Sequence, residues 1–476
     1  MQWTQLLAKE RQRLGRSTSS DLRSPFQKDY HRIIGSASFR RLQDKTQVFP
    51  LDKSDFVRTR LTHSLEVSSF SKSLAQSIFE TLRTSGHPEI TAGLREDVYN
   101  ILECAGLLHD IGNPPFGHFG ESAIREWFRN NLNRLQFEGQ PLTEVLTPQM
   151  QNDFYYFEGN AQALRLVTKL HFLVDEKGMN LTFALLNTII KYPVSSTEID
   201  KKSGDIKTKK MGYYHAEEEL FGQITGATGA GDCRYPLTFI LEAADDIAYK
   251  TADIEDAAKK GFLSLHQLLS ELKSDRLRGA CRTQSERDNY DYAVEKLEAN
   301  YQNRKQRGVS SPELNALQNW IIYVQGNLLR CATSAFVSNY DAIMEGRCKA
   351  ELLELSDGNA LANALGDIAV RYVFKSDYII KLEIAAGSII NYLLDRFVGV
   401  AIVYDTDKPL SPIEERLMAI VSDNYKYVYE KYSENQTPQE KLYLRLMLVT
   451  DFICGMTDNY AKTLYQHLNG MEQLSW

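Results

Sequence analysis

Apolar residues recur along this chain at the three-to-four-residue spacing of a helix far more often than at the alternate spacing of a strand. Leu61, Leu65, Phe70, Leu74, Ile78 and Leu82 form one stripe, with Thr62 as its cap, and Ala123, Ile124, Trp127, Phe128 and Leu132 form another. Further stripes run over 164–173, 181–190, 236–258, 320–336, 379–397 and 442–460. Alternation is scarce, and KTKKMGYYH (207–215) is the best candidate for a short hairpin or loop. The glycine-rich GATGAG (226–231) reads as a surface loop, since it lacks the Lys-Ser/Thr of a phosphate-binding loop. The pattern predicts an all-α (mainly α) fold. A charged stretch over 274–312 reads as exposed helix plus loop and suggests two lobes, 1–270 and 271–476.

Composition narrows the function classes without choosing one. The chain has 476 residues, a net charge of −7, 25% charged and 43% hydrophobic residues. No global positive field draws it to nucleic acid or anionic membrane, so any phosphate site must be a local basic patch. Six scattered cysteines without a CxxC pair fit reduced thiols. MQWTQLLAKERQRLGRS at the N-terminus is basic and lacks the apolar core of a secretory signal. No uncharged apolar run approaches the roughly 20 residues that span a bilayer. Together these features predict a cytoplasmic protein with no membrane partner.

The candidate chemistry starts in ECAGLLHDIGNPPFGHFGE (103–121), where His109 and Asp110 are adjacent. Neighbouring helical side chains point about 100° apart, so the pair converges only on something lying between them, and a divalent ion suits that place. Imidazole with carboxylate favours Mn, Fe, Zn or Mg over a thiolate-preferring metal. Asn113-Pro114-Pro115 should end the helix and open the pair to a loop. RTRLTHSLEV (58–67) offers His63, and EAADDIAYKTADIEDA (242–257) offers Asp245, with Tyr249 and Asp253 following on the same helix face. Singly, His63 is more often a satisfied core histidine and Asp245 part of a solvated face. Together they could deliver two imidazoles and two carboxylates to one ion. Lys191, Lys210, Arg58 and Arg60 are local positive charges in an acidic chain. His118 could protonate a leaving group, with Glu121 to orient its imidazole or simply to sit at a helix start.

The order His…His-Asp…Asp resembles the HD-domain phosphohydrolase superfamily. RRLQDKTQVFPL (40–51), RTRLTHSLEV, LLHDIGNPPFGHFGE (107–121), FEGNAQALRLV (157–167), EAADDIAY (242–249) and CGMTDNYA (454–461) are similar to the bacterial deoxyguanosinetriphosphate triphosphohydrolase family. The resemblance implies His63, His109, Asp110 and Asp245 as metal ligands, with Mn or Mg first and Fe, Co or Zn as alternatives. It implies His118 and Glu121 as the catalytic pair for attack of water on the α-phosphorus, releasing inorganic triphosphate. Arg60, Asn160, Lys191, Tyr192, Lys210 and Tyr249 match triphosphate and sugar contacts, and Gln47 and Asp253 lie by the deoxyribose. Phe374 and Glu383, in VFKSDYIIKLE (373–383), match the guanine pocket. On this reading 1–270 is the catalytic lobe with an N-terminal arm, and 271–476 completes the nucleotide pocket. The resemblance also implies a homo-oligomer, a hexamer as first choice, and leaves room for a single-stranded DNA or dNTP effector. GQITGATGAGDCRYP (222–236) departs from the family pattern just before the Asp245 helix, which leaves base preference open.

Two other classes compete. An HD phosphodiesterase would cleave a phosphodiester and release no triphosphate. A non-catalytic HD sensor for nucleotide or single-stranded DNA would lack at least one ligand, whereas all four are present.

Overall fold

Thr59, rather than Thr62, caps the first long helix. Its hydroxyl accepts from the Thr62 amide, and the Thr62 hydroxyl accepts from the Thr59 amide, a reciprocal box that starts α1 (Arg60–Thr84). In this computed structural model, which describes residues 1–13, 21–49, 58–172 and 174–471, the chain is all-α. Pro50, Leu51, Leu173 and residues 14–17 of the expectations above lie outside the described residues.

The inward face of α1 differs in part from the expected stripe. Leu74, Ile78 and Leu82 are buried, but Leu65 is 50% exposed, and His63, Ser64, Val67, Ser68 and Ser71 turn inward instead. The reason is the neighbour, α2 (Ala92–Leu108). A Cβ on its Gly106 would stand 2.4 Å from Ser68 Cα, so the two helices meet backbone to backbone. Only small residues permit that approach. Ser68 Oγ donates to the Glu103 carbonyl at 2.7 Å, so its polar group is satisfied inside the contact.

Helix α2 stops before His109, whose backbone is still helical (φ −54, ψ −34), and Asp110 follows in a turn. Phe116 and Gly117 then take positive φ (64 and 59) and launch α3 (His118–Asn131), which buries Ala123, Ile124, Trp127 and Phe128. Among the described residues, extended pairing beyond an isolated Thr46–Thr59 bridge is one hairpin. It pairs β1 (Gln136–Phe137) with β2 (Gln140–Pro141) across a Glu138–Gly139 turn with both φ positive. After it come α4 (Gly159–Arg165) and α5 (Phe183–Ile189).

Residues 207–215 form a loop with short 3₁₀ turns at Ile206–Thr208 and His215–Glu217, not a hairpin. The reading of 226–231 as a loop is corrected in part: Gly226–Thr228 finish α6 (Glu218–Thr228), and Gly229 at φ 66 closes it. Pro236 sits in the first turn of α7 (Pro236–Lys259), where its missing amide leaves nothing unpaired.

The second half contributes α8 (Gln284–Gln306), α9 (Pro312–Ser338), α10 (Asn359–Ala369), α11 (Asp377–Val403), α12 (Pro438–Cys454) and α13 (Asp458–Leu468). The single stripe expected over 442–460 is thus two helices, parted at Gly455, where a Cβ would meet Tyr425 Oη at 2.3 Å. Helix α9 packs on α1 and α7, α10 on α7, and α11 on α3 and α12. One connected apolar core runs from Trp3 to Leu464. Residue 270 falls inside a helix, Leu265–Leu272. Helix α11 is long and apolar enough to cross a membrane by length and composition, yet half of that window is buried in the protein. All six cysteines are free.

Candidate metal and nucleotide site

The close α1–α2 contact sets the candidate metal site. His63 lies about one turn before Ser68 on α1, and His109 lies one turn after Gly106, so the two imidazoles meet with ring centroids 5.1 Å apart. Helix α7 crosses both and adds Asp245. Its Oδ1 is 3.2 Å from His63 Nε2 and 3.4 Å from His109 Nε2. One donor atom from each of the three residues lies within 4.8 Å of the others. His109 Nδ1 donates to the Gly106 carbonyl at 2.8 Å, which leaves the Nε2 lone pair facing the carboxylates. That Nε2 is buried and has no hydrogen-bond partner. Two imidazoles with carboxylates and an orphaned lone pair fit a divalent cation.

Asp110 stands beside this trio, its Oδ2 3.6 Å from His109 Nε2. Arg60 holds that oxygen, and Asn113 donates to the other at 2.6 Å. Burial alone would raise the Asp110 carboxyl, but Arg60 and His109 hold it well below the usual range. Burial alone would lower His109; Asp110 and Asp245 instead carry it above its ordinary value. Lys191 donates to Asp245 Oδ2 at 2.8 Å. The cluster is therefore a compact set of opposed charges that a cation would reorganise.

In front of it opens a cavity of about 530 Å³. Its walls include Gln47, Arg60, Asp110, His118, Glu121, Asn160, Lys191, Tyr192, Lys210, Asp245, Tyr249, Asp253 and Phe374. His63 and His109 lie buried behind them. Glu383 is not brought together with the rest: it sits half-buried on α11 and outside the lining.

His118 projects into this cavity with 78% of its side-chain surface open, while its partner Glu121 is buried. Its Nδ1 is 3.0 Å from Glu121 Oε2, and Glu121 Oε1 accepts from the Gly159 amide at 2.8 Å. Glu121 raises the His118 imidazole, and burial of Glu121 is outweighed by His118 and Arg125, which hold it at about 2. The pair thus favours a protonated imidazole facing the cavity. Burial, then Asp256, pushes Asp253 up to about 8, so it presents a neutral acid at pH 7.

Sequence reasoning missed Glu158, Asn113 and the apolar Val48, Phe116 and Phe119, all in the lining. Glu158 is the most consequential. Its carboxylate accepts from Lys210 at 2.9 Å, Asn160 at 3.0 Å and Arg125 at 3.0 Å, joining two expected phosphate contacts to the Glu121 neighbourhood. Burial, then Glu121, raises its carboxyl. An acid among the cations expected to contact phosphate carries no sequence signal of its own, although Glu158 stands in the FEGNAQ block.

Helices that deliver two imidazoles and two carboxylates to one spot, with the His–Asp pair at a helix end, define an HD-domain protein. The HD-domain family model matches residues 60–155. A deoxyguanosinetriphosphate triphosphohydrolase-like protein of Listeria monocytogenes is 47% identical over 482 residues, 99% of this chain and 100% of the relative. Deoxyguanosinetriphosphate triphosphohydrolase of Yersinia enterocolitica is 34% identical over 94% of each chain. That of Klebsiella pneumoniae is 34% identical over 96% of this chain and 95% of its own. The chain belongs to the deoxyguanosinetriphosphate triphosphohydrolase family.

Proposed function

We propose that this protein hydrolyses dGTP, and other dNTPs less well, to deoxynucleoside and inorganic triphosphate with a divalent metal, Mn or Mg in first place. The observation that carries the reading is one cavity that joins the His63–His109–Asp245 cluster, the His118–Glu121 pair and the cations Arg60, Lys191 and Lys210. Asp110 would complete the metal set. A divalent ion supplies Lewis acidity, which acidifies water and offsets phosphate charge.

The chain's own groups do the rest. Lys210, Lys191 and Arg60 neutralise the triphosphate so that a water oxygen can reach the α-phosphorus. His118 holds the proton that the departing deoxyribose 5′ oxygen needs, and Glu121 favours its staying there. Asp253 as a neutral acid can bond the sugar hydroxyl without repelling the phosphates, and Gln47 crowds the same side against a ribose. Tyr249 and Tyr192 wall the sugar. Phe374 gives the purine a stacking face, whereas the part of Glu383 in reading guanine rests on the family resemblance alone.

Incubation with each dNTP and NTP in the presence of Mn²⁺ or Mg²⁺, with chromatography of the products, tests the reading. Triphosphate released from dGTP fastest supports it. Equal kcat/KM for dGTP and dATP removes the guanine preference and leaves the triphosphohydrolase. Cleavage of a cyclic or linear phosphodiester without triphosphate release supports the phosphodiesterase instead, and nucleotide binding without turnover supports the sensor. A homo-oligomer, a hexamer by resemblance, and a single-stranded DNA or dNTP effector are further proposals, tested by light scattering and by turnover with and without each effector.

A further inference from the structure

The segment CGMTDNYA (454–461) lines no part of the cavity, yet it grips two of its walls through Asp458. Asp458 is 2% exposed at the start of α13. Its Oδ2 accepts from the Thr46 amide at 3.0 Å and the Thr46 hydroxyl at 2.5 Å, and its Oδ1 accepts from the Phe116 amide at 2.9 Å. An aspartate serving only its own helix would bond first-turn amides. Here Thr457 does that, accepting from the Tyr460 amide at 3.2 Å, and Asp458 reaches outward.

Both targets lie in the cavity wall beside candidate site residues. Thr46 precedes Gln47 and Val48 in the cavity wall. Phe116 precedes Gly117 and His118, and at φ 64 it holds a left-handed backbone that a bulky residue keeps only when its surroundings enforce it. Lys45 reinforces the arrangement: its buried ammonium donates to the Asn113 carbonyl at 2.6 Å and the Cys454 carbonyl at 2.7 Å. A buried anion and a buried cation thus join residues 45–48, 113–118 and 454–458.

We propose that Asp458 is a positioning residue for the nucleotide site, which from the C-terminal part of the chain holds the Gln47 wall and the strained turn before His118 in one frame. The inference rests on the triphosphohydrolase reading above. Asp458→Asn keeps the volume but must turn amide hydrogens either toward the two Thr46 donors or toward the Phe116 amide. Hydrogen exchange should then quicken at the Thr46 or the Phe116 amide, whichever loses its acceptor, with metal content and circular dichroism unchanged. Hydrogen bonds to charged groups are strong enough that kcat/KM for dGTP should fall about 10-fold or more. Discrimination of dGTP over GTP should narrow, because the wall beside Gln47 is loosened. Adding Phe116→Gly to Asp458→Asn should restore part of kcat, since glycine adopts positive φ without help. Thr46→Val, which removes only the hydroxyl bond, should give the same changes in smaller measure and serves if Asp458→Asn does not fold. Unchanged exchange at both amides overturns the proposal, as does a loss of activity that tracks loss of metal and is not relieved by Phe116→Gly. If the unmutated protein releases no triphosphate from any nucleotide, the functional reading fails separately, and the two amides alone decide the role of Asp458.

Discussion

Replacing Gly106 by alanine tests whether the backbone contact between α1 and α2 builds the metal site. The new Cβ would stand 2.4 Å from Ser68 Cα, 2.5 Å from Ser68 N and 2.9 Å from Val67 C. Ordinary contact begins at 3.4 Å, so the helices must part by about 1 Å. No side-chain rotation relieves this, because every atom met is backbone. Overpacking of this kind costs about 1–3 kcal/mol, and the better helix propensity of alanine returns about 1 kcal/mol of it. The larger effect falls on function. Metal ligand distances tolerate only about 0.2 Å, and the shift separates His63 from His109 while disturbing the Gly106 carbonyl that orients the His109 ring. We expect a lower thermal midpoint by calorimetry and Mn²⁺ affinity weakened about 10-fold or more by titration. Gly93→Ala is the control, since it lies on the same helix and its Cβ meets nothing within 4 Å. Wild-type Mn²⁺ affinity in Gly106→Ala, or equal losses in both variants, would refute the argument.

Three further outcomes follow from the geometry. His118→Ala should keep its metal by elemental analysis and lose roughly 10²–10⁴-fold in kcat; loss of metal instead would make it a ligand. Glu121→Gln removes the partner that raises His118, so the imidazole releases its proton at lower pH and the alkaline limb of kcat/KM moves down; an unmoved limb counts against the acid role. Burial pushes Asp153 up to about 7 despite donors from Ser196, Tyr443 and the His215 amide. Between about pH 4, where an unfolded aspartate ionises, and pH 7 the folded state therefore binds the extra proton. This contribution to stability is complete at acid pH and fades as pH rises through 7. The thermal midpoint of Asp153→Asn should vary less from pH 5 to 8 than that of the wild type, and equal slopes would discard the assignment.

What could be read along the chain was local or repeated. Helix periodicity, the Pro-Pro stop after His109–Asp110 and the i, i+4, i+8 face of Asp245, Tyr249 and Asp253 all depend on neighbours in sequence, so they survive without a fold. The family resemblance added Gln47, Asn160, Tyr192 and Phe374 to the nine lining residues read from local pattern and charge, and all thirteen share one cavity. What was missed depended on partners distant in sequence. Ser68 turns inward because Gly106 of the facing helix makes smallness, not apolarity, the requirement for burial there. Glu158 gains its meaning from Lys210 and Arg125, and Asp458 from Thr46 and Phe116, across separations no periodicity encodes. Composition and spacing determined that the chain would make helices with a metal-competent His–Asp pair. Only tertiary packing decided which faces turn inward and which charges meet, because close approach and burial are properties of pairs of surfaces rather than of any one segment.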